Sequence, residues 1–185
     1  MSLFEFLMVF MSIIIGLSVA EILTALADTL SSGKNMKHSW LHGVLSLGIF
    51  MVLIQIWWES WDLREIGQWS LPEMLLLLSL PVLLFIISRI LNPGRDYSES
   101  LNDYYLMNAS KIWTILSIGI IIGNSFRTIL YGAQLLSIDN LSAIPMLIIC
   151  LILRLSTNKT VHKVLIPVFV LIILLDVLLI NFFIS

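Results

Sequence analysis

Long apolar segments separated by short polar connectors restrict the fold of this chain more than any other feature. Several approach the ~20 residues that a helix needs to cross ~30 Å of hydrocarbon. Strands of a membrane β-barrel would alternate in polarity over ~10 residues, whereas the run from Met74 to Ile90 does not alternate. The sequence therefore predicts an all-α, polytopic transmembrane helical bundle with about six spans. The expected spans are Leu3–Leu30, Trp40–Trp61, Leu71–Leu91, Lys111–Leu136, Leu141–Leu155 and Lys163–Phe183.

Charged residues are scarce in this chain. They make up 12% of it, compared with ~25% in soluble domains, so the chain cannot present a fully hydrated surface. Its 185 residues leave no room for a soluble domain beside six spans, and we expect a single transmembrane domain, residues 1–185. The net charge of −2 and the lack of a basic run argue against a nucleic-acid partner. Because the start of the chain carries Glu5 and no Lys or Arg, we expect an uncleaved first span.

The connectors contain residues typical of turns. Asn92-Pro93-Gly94 and Ser156-Thr157-Asn158 predict the ends of the third and fifth spans. Residues 96–110 predict a loop followed by a helical, interface-lying extension of the fourth span. The fifth span is the least typical, because it is short and contains Pro145.

Lys and Arg residues are distributed unequally between the two sides of the predicted topology. With the N-terminus outside, eight of the ten fall on the cytoplasmic side, as cytoplasmic loops require. An even number of spans then puts both termini on the non-cytoplasmic side. We expect a multi-pass protein of the bacterial inner (cell) membrane. The eight residues are Lys34, Lys37, Arg89, Arg95, Lys111, Arg154, Lys159 and Lys163.

Tryptophans cluster near the predicted membrane boundaries, where their amphipathic rings are favoured. The outer group is expected to form an aromatic belt. The outer group is Trp57, Trp58, Trp61 and Trp69, and the inner pair is Trp40 and Trp113.

Polar residues at membrane depth are costly and mark sites of interest. In the outer layer Arg127 lies ~24 Å along the helix from Lys111, and Asn124 shares its helical face. One interpretation is a buried ion pair that holds the bundle together. The other is a ligand site or one end of a conduction path. The candidate partners of Arg127 are Gln55, Glu59, Asp62 and Asp176.

In the inner layer Glu21 follows the largely apolar run 6–20. A carboxylate facing an imidazole such as His42 can relay protons or bind a cation. The alternatives are a plain salt bridge and a carboxyl neutralised by desolvation. The candidate partners are His38, His42, Arg89, Lys111 and Arg154.

Motifs for catalysis or metal binding are lacking in the sequence, and we expect neither an enzyme nor a metal site. Axial haem ligation by His42 and His162 is possible in principle, because both lie near the cytoplasmic ends of predicted spans, but no spacing signature supports it, and no cofactor is expected. Gly119 and Gly123 match the small-xxx-small pattern of closely packed helices.

Short motifs spread over most of the chain form a characteristic series. They are Leu3-Phe4-Glu5-Phe6-Leu7, Ser12-Ile13-Ile14-Ile15-Gly16-Leu17, Glu21-Ile22-Leu23, Ser39-Trp40-Leu41-His42, Gln55-Ile56-Trp57-Trp58, Trp61-Asp62-Leu63-Arg64, Tyr104-Tyr105, Arg154 and Val161-His162. This series resembles a family of small bacterial six-helix integral membrane proteins. The resemblance implies the six-helix architecture and no particular function. It directs attention to Glu21, His42 and the stretch 57–64.

The two polar layers favour an oligomeric channel or small transporter, with Glu21 and Arg127 along a polar path. The alternative is a non-catalytic membrane subunit or sensor that binds a lipid, a quinone or a partner helix. A third hypothesis is an intramembrane enzyme or haem redox module at His42 and Glu21. The expected partners are the lipid bilayer and further copies of the chain.

Overall fold

The structure, a computed structural model, describes residues 3–31, 40–94, 100–131 and 142–179, without the side chains of residues 29–31, 127, 128, 130, 131 and 179. All regular structure in these ranges is helical. A 3₁₀ segment, Ser60–Glu65, follows α2 directly. The six α-helices are α1 (Leu3–Ser31), α2 (Trp40–Glu59), α3 (Leu71–Leu91), α4 (Leu101–Tyr131), α5 (Ala143–Leu155) and α6 (Lys159–Leu179).

Five helices, α1–α4 and α6, are long and apolar enough to cross a membrane. Helix α5 has 13 residues and is therefore ~20 Å long, which is less than the ~30 Å of a hydrocarbon core. Its Pro145 lies in the first turn, where the missing N–H removes no intrahelical hydrogen bond. All-α architecture and apolar spans are thus confirmed, with the fifth segment shorter than the other five.

The helix boundaries follow local capping chemistry. Helix α3 begins after Ser70, which forms a reciprocal capping box with Glu73, so two N-terminal donors gain partners. Helix α3 ends as predicted at Asn92, whose Oδ1 accepts a hydrogen bond from Gly94 N at 3.1 Å; Gly94 has a positive φ of 84°. Helix α6 begins at Lys159 rather than Lys163, because Asn158 Oδ1 accepts from Thr160 N at 2.9 Å.

Helix α4 begins at Leu101 rather than at Lys111. The predicted helical extension is therefore part of one continuous helix. Hydropathy alone misses residues 101–110 because they are polar. Their helix is stabilised by packing, since Tyr105 and Ala109 are buried against the bundle. Asp103 in the first turn adds a favourable charge at the N-terminus.

The two ends of the bundle differ in the residues they carry. We call the end with His42 and His162 the histidine end, and the end with Trp57, Trp58 and Trp61 the tryptophan end. His42, near the start of α2, donates to the carbonyl of Leu91 at the end of α3. At the opposite end Phe4 of α1 makes an edge-to-face contact with Trp61, with ring centroids 6.4 Å apart. Helix α1 therefore begins, and α6 ends, at the tryptophan end.

The helices pack in a closed circuit. Helix α1 contacts α2 and α3, α3 contacts α4, α4 contacts α5, α5 contacts α6, and α6 returns to α2. The core of the histidine half is fully buried, with Trp113 packed edge-to-face on Phe169 at a centroid distance of 5.1 Å. The outer faces carry exposed apolar side chains such as Phe10 and Ile13 of α1, as expected for contact with lipid.

Trp113 corrects one expectation from the sequence. It was predicted to lie at the inner membrane interface, but its side chain is completely buried within the bundle. An apolar helix with a tryptophan near its end is compatible with either position, and only the neighbouring helices decide between them. Trp57, Trp58 and Trp61 are substantially exposed, as an interfacial belt requires.

Gly48 marks a close approach of α2 to α6. A Cβ atom added at this position would lie 2.7 Å from Cγ2 of Val170. Val170 is β-branched and cannot easily rotate away. Gly43, on the same helix, has no heavy atom within 4 Å of an added Cβ.

We expect Gly48→Ala to lower the free energy of unfolding by about 1–2 kcal/mol, because overpacking outweighs the gain in helix propensity. Gly43→Ala is the matched control and should be neutral or stabilising. Adding Val170→Ala to Gly48→Ala should restore part of the loss. Reversible unfolding in mixed detergent micelles measures all four proteins, and equal stability of Gly48→Ala and Gly43→Ala would contradict the close approach.

Candidate functional site

A cavity of about 450 Å³ lies inside the tryptophan half of the bundle. Its walls come from α2, α3, α4, α6, the 3₁₀ segment and the first turn of α5. Most of the wall is apolar, and its deepest residues towards the histidine end include Ile49, Ile87 and Phe169, which are nearly inaccessible. The size falls within the range of ~300–1,000 Å³ typical of small-molecule sites.

The polar part of the cavity wall is concentrated towards the tryptophan end. Gln55 Nε2 donates to Glu59 Oε1 at 2.8 Å and to Asp176 Oδ2 at 3.1 Å. Both hydrogens of the Gln55 amide are thereby used. The structure thus brings together three residues that the sequence placed at one depth, two from α2 and one from α6. We call Gln55, Glu59 and Asp176 the carboxylate–amide cluster.

Two further polar residues face the cavity from other elements. Asn124 of α4 lines it while its Nδ2 donates to the carbonyl of Ile120 at 3.1 Å. Asp62 of the 3₁₀ segment lies at its rim, with a half-exposed side chain and Arg64 Nη1 at 3.9 Å from its Oδ1. The rim of the cavity is therefore accessible at the tryptophan end.

Arg127 belongs to α4, three residues beyond Asn124, but its side chain lies outside the described part of the structure. Its expected pairing with the carboxylates of α2 and α6 stays a prediction.

Glu21 belongs to a separate cluster between α1 and α3. Arg89 Nη1 lies 3.2 Å from Glu21 Oε2, and Asn92 Nδ2 donates to the same oxygen at 2.9 Å. Arg89 is largely exposed, whereas Asn92 is buried. Of the expected partners, Arg89 is the one that binds Glu21, and His38 lies outside the described residues. Glu21 does not line the cavity.

His42 bonds to the backbone rather than to Glu21. Its Nε2 donates to the carbonyl of Leu91 in the last turn of α3. Terminal carbonyls of a helix lack intrahelical partners, so this contact satisfies one of them in the interior of the bundle.

A buried network at the histidine end joins α4, α5 and α6. Trp113 Nε1 donates to Tyr105 Oη at 2.7 Å, and the Tyr105 hydroxyl is 2.7 Å from His162 Nδ1. His162 Nε2 lies 2.9 Å from the carbonyl of Ser156. Since a carbonyl only accepts, Nε2 of His162 donates to Ser156, and in the neutral imidazole Nδ1 then accepts from the Tyr105 hydroxyl. Every polar atom of the network has a partner.

Sequence reasoning missed this network, although one signal was present. Tyr105 and Trp113 are eight residues apart and therefore share a face of α4. Haem ligation by His162 would require replacing one of its two hydrogen bonds. Among the described residues, no group of three or more His, Cys, Asp or Glu side chains could hold a metal ion.

Gly119 and Gly123 line the cavity on α4 and face α3. A Cβ added at Gly119 would lie 4.0 Å from Leu83 Cδ1, and one at Gly123 would lie 3.9 Å from Leu80 Cδ1. Both are ordinary van der Waals distances, so within the chain these glycines widen the cavity. Their role in packing between copies stays a prediction.

The fold and the cavity define an integral membrane protein, a bundle of apolar helices with a one-sided internal cavity. No family model, no curated protein and no solved structure matches the chain. The resemblance to small bacterial six-helix membrane proteins therefore stays a prediction.

We expect Tyr105→Phe to destabilise the protein by about 2 kcal/mol, because it leaves Trp113 Nε1 and His162 Nδ1 buried without their partner. In a Trp113→Phe background the same substitution should cost less, since one of the two orphaned groups is gone. Unfolding free energies of the four proteins test this coupling. Strictly additive costs would contradict a connected network.

We expect Asn92→Ala to cost about 1–3 kcal/mol, because it removes a buried donor to Glu21 and the acceptor for Gly94 N. Arg89→Gln should cost less than ~1 kcal/mol, because an exposed ion pair contributes little. The same unfolding assay compares them. A larger cost for Arg89→Gln would show that the charge of Glu21 needs compensation.

Proposed function

We propose that the protein is a non-catalytic, membrane-embedded binding protein that holds a single-chain amphiphile of lipid or quinone size in the cavity. The observation that carries the proposal is the combination of an apolar wall with a polar region at one side. A ligand of this shape buries its chain against the leucine and isoleucine side chains of α3 and α4. Its head group lies at the carboxylate–amide cluster.

The closed histidine half supports binding over conduction. Below the cavity Leu45, Ile112 and Ile166 are completely buried, as is Trp113. The polar groups at that level, Tyr105 and His162, bond to one another. In the described part of the chain, the polar region of the cavity lies between α2 and α6, whereas the Glu21 cluster lies between α1 and α3. A conduction path through both would have to cross this packed layer.

The distribution of Lys and Arg between the two ends of the bundle indicates its orientation in the membrane. In the described ranges, Arg89, Lys111, Arg154, Lys159 and Lys163 lie towards the histidine end, whereas Arg64 and the α4 position of Arg127 lie towards the tryptophan end. We propose that the histidine end faces the cytoplasm of a bacterial inner membrane. The cavity rim, with the start of α1 and the end of α6, then faces the opposite side.

A transporter is the second candidate, because prolines interrupt two of the helices that line the cavity, α3 and α6. Pro81 lies in α3 between lining residues Leu80 and Leu83, and Pro167 lies in α6 just before Phe169. Proline removes a helical hydrogen bond and favours bending at that point. Bending there would open the packed layer towards the histidine end.

We expect Gly119→Leu to fill the cavity and weaken amphiphile binding about tenfold or more, a loss of ~1.4 kcal/mol or more. The assay uses nanodiscs and a twelve-carbon alcohol with a diazirine on its chain. Saturable photolabelling of α3 and α4 peptides, read by mass spectrometry, reports occupancy of the cavity. The variant should fold, because leucine has a higher helix propensity than glycine and the nearest atom is 4.0 Å from the added Cβ.

Gly16→Leu is the matched control, because an added Cβ there has no heavy atom within 4 Å and the position is exposed on α1. It should leave cavity labelling unchanged. Labelling that does not saturate, or that is equal in Gly119→Leu and the wild type, would contradict the proposed function. Flux of a solute into liposomes that Gly119→Leu abolishes would favour the transporter.

A further inference from the structure

We propose that the outer face of α3 binds one anionic phospholipid in the leaflet at the histidine end, with the lipid head group between Arg89 of α3 and Lys111 of α4. The ligand class is a two-chain lipid whose phosphodiester carries no compensating ammonium, such as phosphatidylglycerol. The site lies on the outer surface of the bundle and is separate from the cavity, because neither Arg89 nor Lys111 lines the cavity.

The packing of α3 against α4 places the two cations at about the same depth in the membrane. A Cβ added at Gly119 of α4 would lie 4.0 Å from Leu83 of α3, and the corresponding contact four residues further along α4 is with Leu80. The two helices are therefore antiparallel. Eight residues separate Gly119 from Lys111 and match six to eight residues of α3 beyond Leu83. Arg89 is six residues beyond Leu83, so the two cations lie within ~3 Å of one another in depth.

A shallow apolar groove runs along the outer face of α3. Val82, Ile86 and Arg89 are spaced by four and three residues and are all exposed, so they form one outward-facing stripe. Helices α1 and α4 both pack against α3 and partly cover this stripe. Val82 and Ile86 are 40% and 39% exposed, whereas Leu17 on the outer face of α1 is 53% exposed. The outer face of α3 is therefore recessed between its two neighbours.

The groove offers room for two acyl chains below the head group. From the level of Arg89 the apolar stripe of α3 runs for seven residues, ~10 Å, towards the bilayer centre. Leu17 of α1 is exposed and shares a helical face with Glu21, the partner of Arg89. Ile118 of α4 is exposed and shares a helical face with Lys111. One chain would lie between α1 and α3, and the other between α3 and α4.

Both cations have donors left for a phosphate group. In the described part of the chain, the Arg89 side chain contacts the Glu21 carboxylate through Nη1 alone, at 3.2 and 3.4 Å from the two oxygens, and is 63% exposed. The N–H groups on Nε and Nη2 lie outside this pair, and a guanidinium binds phosphate through two parallel hydrogen bonds. Lys111 is exposed, and its Nζ donates to Asn108 Oδ1 at 3.4 Å, which uses one of its three hydrogens.

Charge favours an anionic head group over a zwitterionic one. Glu21 is already compensated, because it accepts from Arg89 and from the buried amide of Asn92, the latter at 2.9 Å. Lys111 adds a second cation whose described contact is with a neutral amide. Asp28, the next carboxylate of α1, lies ~10 Å further along that helix, beyond the level at which α3 ends. A phosphodiester without an ammonium therefore gains from this surface, since basic side chains near the head groups attract anionic lipids.

The test titrates the purified protein with dioleoyl phosphatidylglycerol and with dioleoyl phosphatidylcholine. Native mass spectrometry gives the dissociation constant of the first bound lipid. We expect phosphatidylglycerol to bind about tenfold more tightly, and Arg89→Gln and Lys111→Gln each to reduce this preference about fivefold. Arg89→Gln should remain folded, because an exposed ion pair contributes little to stability. A phosphatidylglycerol with a diazirine on one chain should label α3 peptides in the wild type and much less in Arg89→Gln.

Lys163→Gln is the matched control, because Lys163 is an exposed cation at the same end but on α6, which packs against α2 and α5. It should leave the preference for phosphatidylglycerol unchanged. An equal loss in Lys163→Gln would reveal diffuse attraction by the basic end and overturn the inference. A preference that survives both Arg89→Gln and Lys111→Gln would overturn it as well.

A competition with glycerophosphoglycerol, the same head group without acyl chains, tests the apolar part of the site. An equal concentration should not displace the bound lipid, because the groove along α3 holds the chains. Displacement would overturn the inference, since the groove would then contribute nothing to binding. Photolabelling of the cavity by the twelve-carbon alcohol is measured separately, so failure of the lipid site and failure of the proposed function are distinguishable.

Discussion

Two histidine-to-carbonyl hydrogen bonds hold the histidine end of the bundle together. A backbone carbonyl in hydrocarbon must find a partner within the protein, and the last carbonyls of a helix have none inside that helix. His42 of α2 supplies the partner for Leu91 at the end of α3, and His162 of α6 supplies that for Ser156 after α5. Each hydrogen bond fixes the axial position of one helix relative to its neighbour. Tyr105 extends the second bond to α4 and thereby completes the circuit of helices.

The cavity follows from the unequal lengths of the helices that this arrangement brings together. At the histidine end α5 is aligned with α4 and α6, but its 13 residues end part-way along the bundle. Its first turn, with Ala143 and Met146, forms part of the cavity wall. Beyond that level α5 as the structure describes it does not continue between α4 and α6, and Gly119 and Gly123 of α4 add no side chain. The cavity therefore lies where α5 is short and where the facing side of α4 carries glycines instead of larger side chains.

The sequence predicts the helices of this protein better than it predicts their contacts. Hydropathy locates all six segments, because lipid exposure demands apolar residues at nearly every position. The end of α3 could be predicted from a different local signal, the turn residues Asn92-Pro93-Gly94. The pair Glu21–Arg89 was among the candidates because both residues lie near one end. Gln55 and Asp176 were placed at one depth, but no feature of a single sequence shows that α2 adjoins α6. The burial of Trp113 escaped prediction because an interfacial and a buried tryptophan have the same neighbours in sequence.

The polar residues at membrane depth fall into two physical classes. Glu21 has a guanidinium and a buried amide around it, and Tyr105, Trp113 and His162 satisfy each other, so holding helices together accounts for them. The carboxylate–amide cluster also joins two helices, because Gln55 of α2 donates to Asp176 of α6, but unlike the other two clusters it borders a cavity. A cavity forfeits the dispersion contacts of its lining atoms, and carboxylates beside apolar walls carry a desolvation cost. Apolar side chains in the same positions would avoid both costs. Charge beside open volume is therefore the feature on which the proposed ligand site rests.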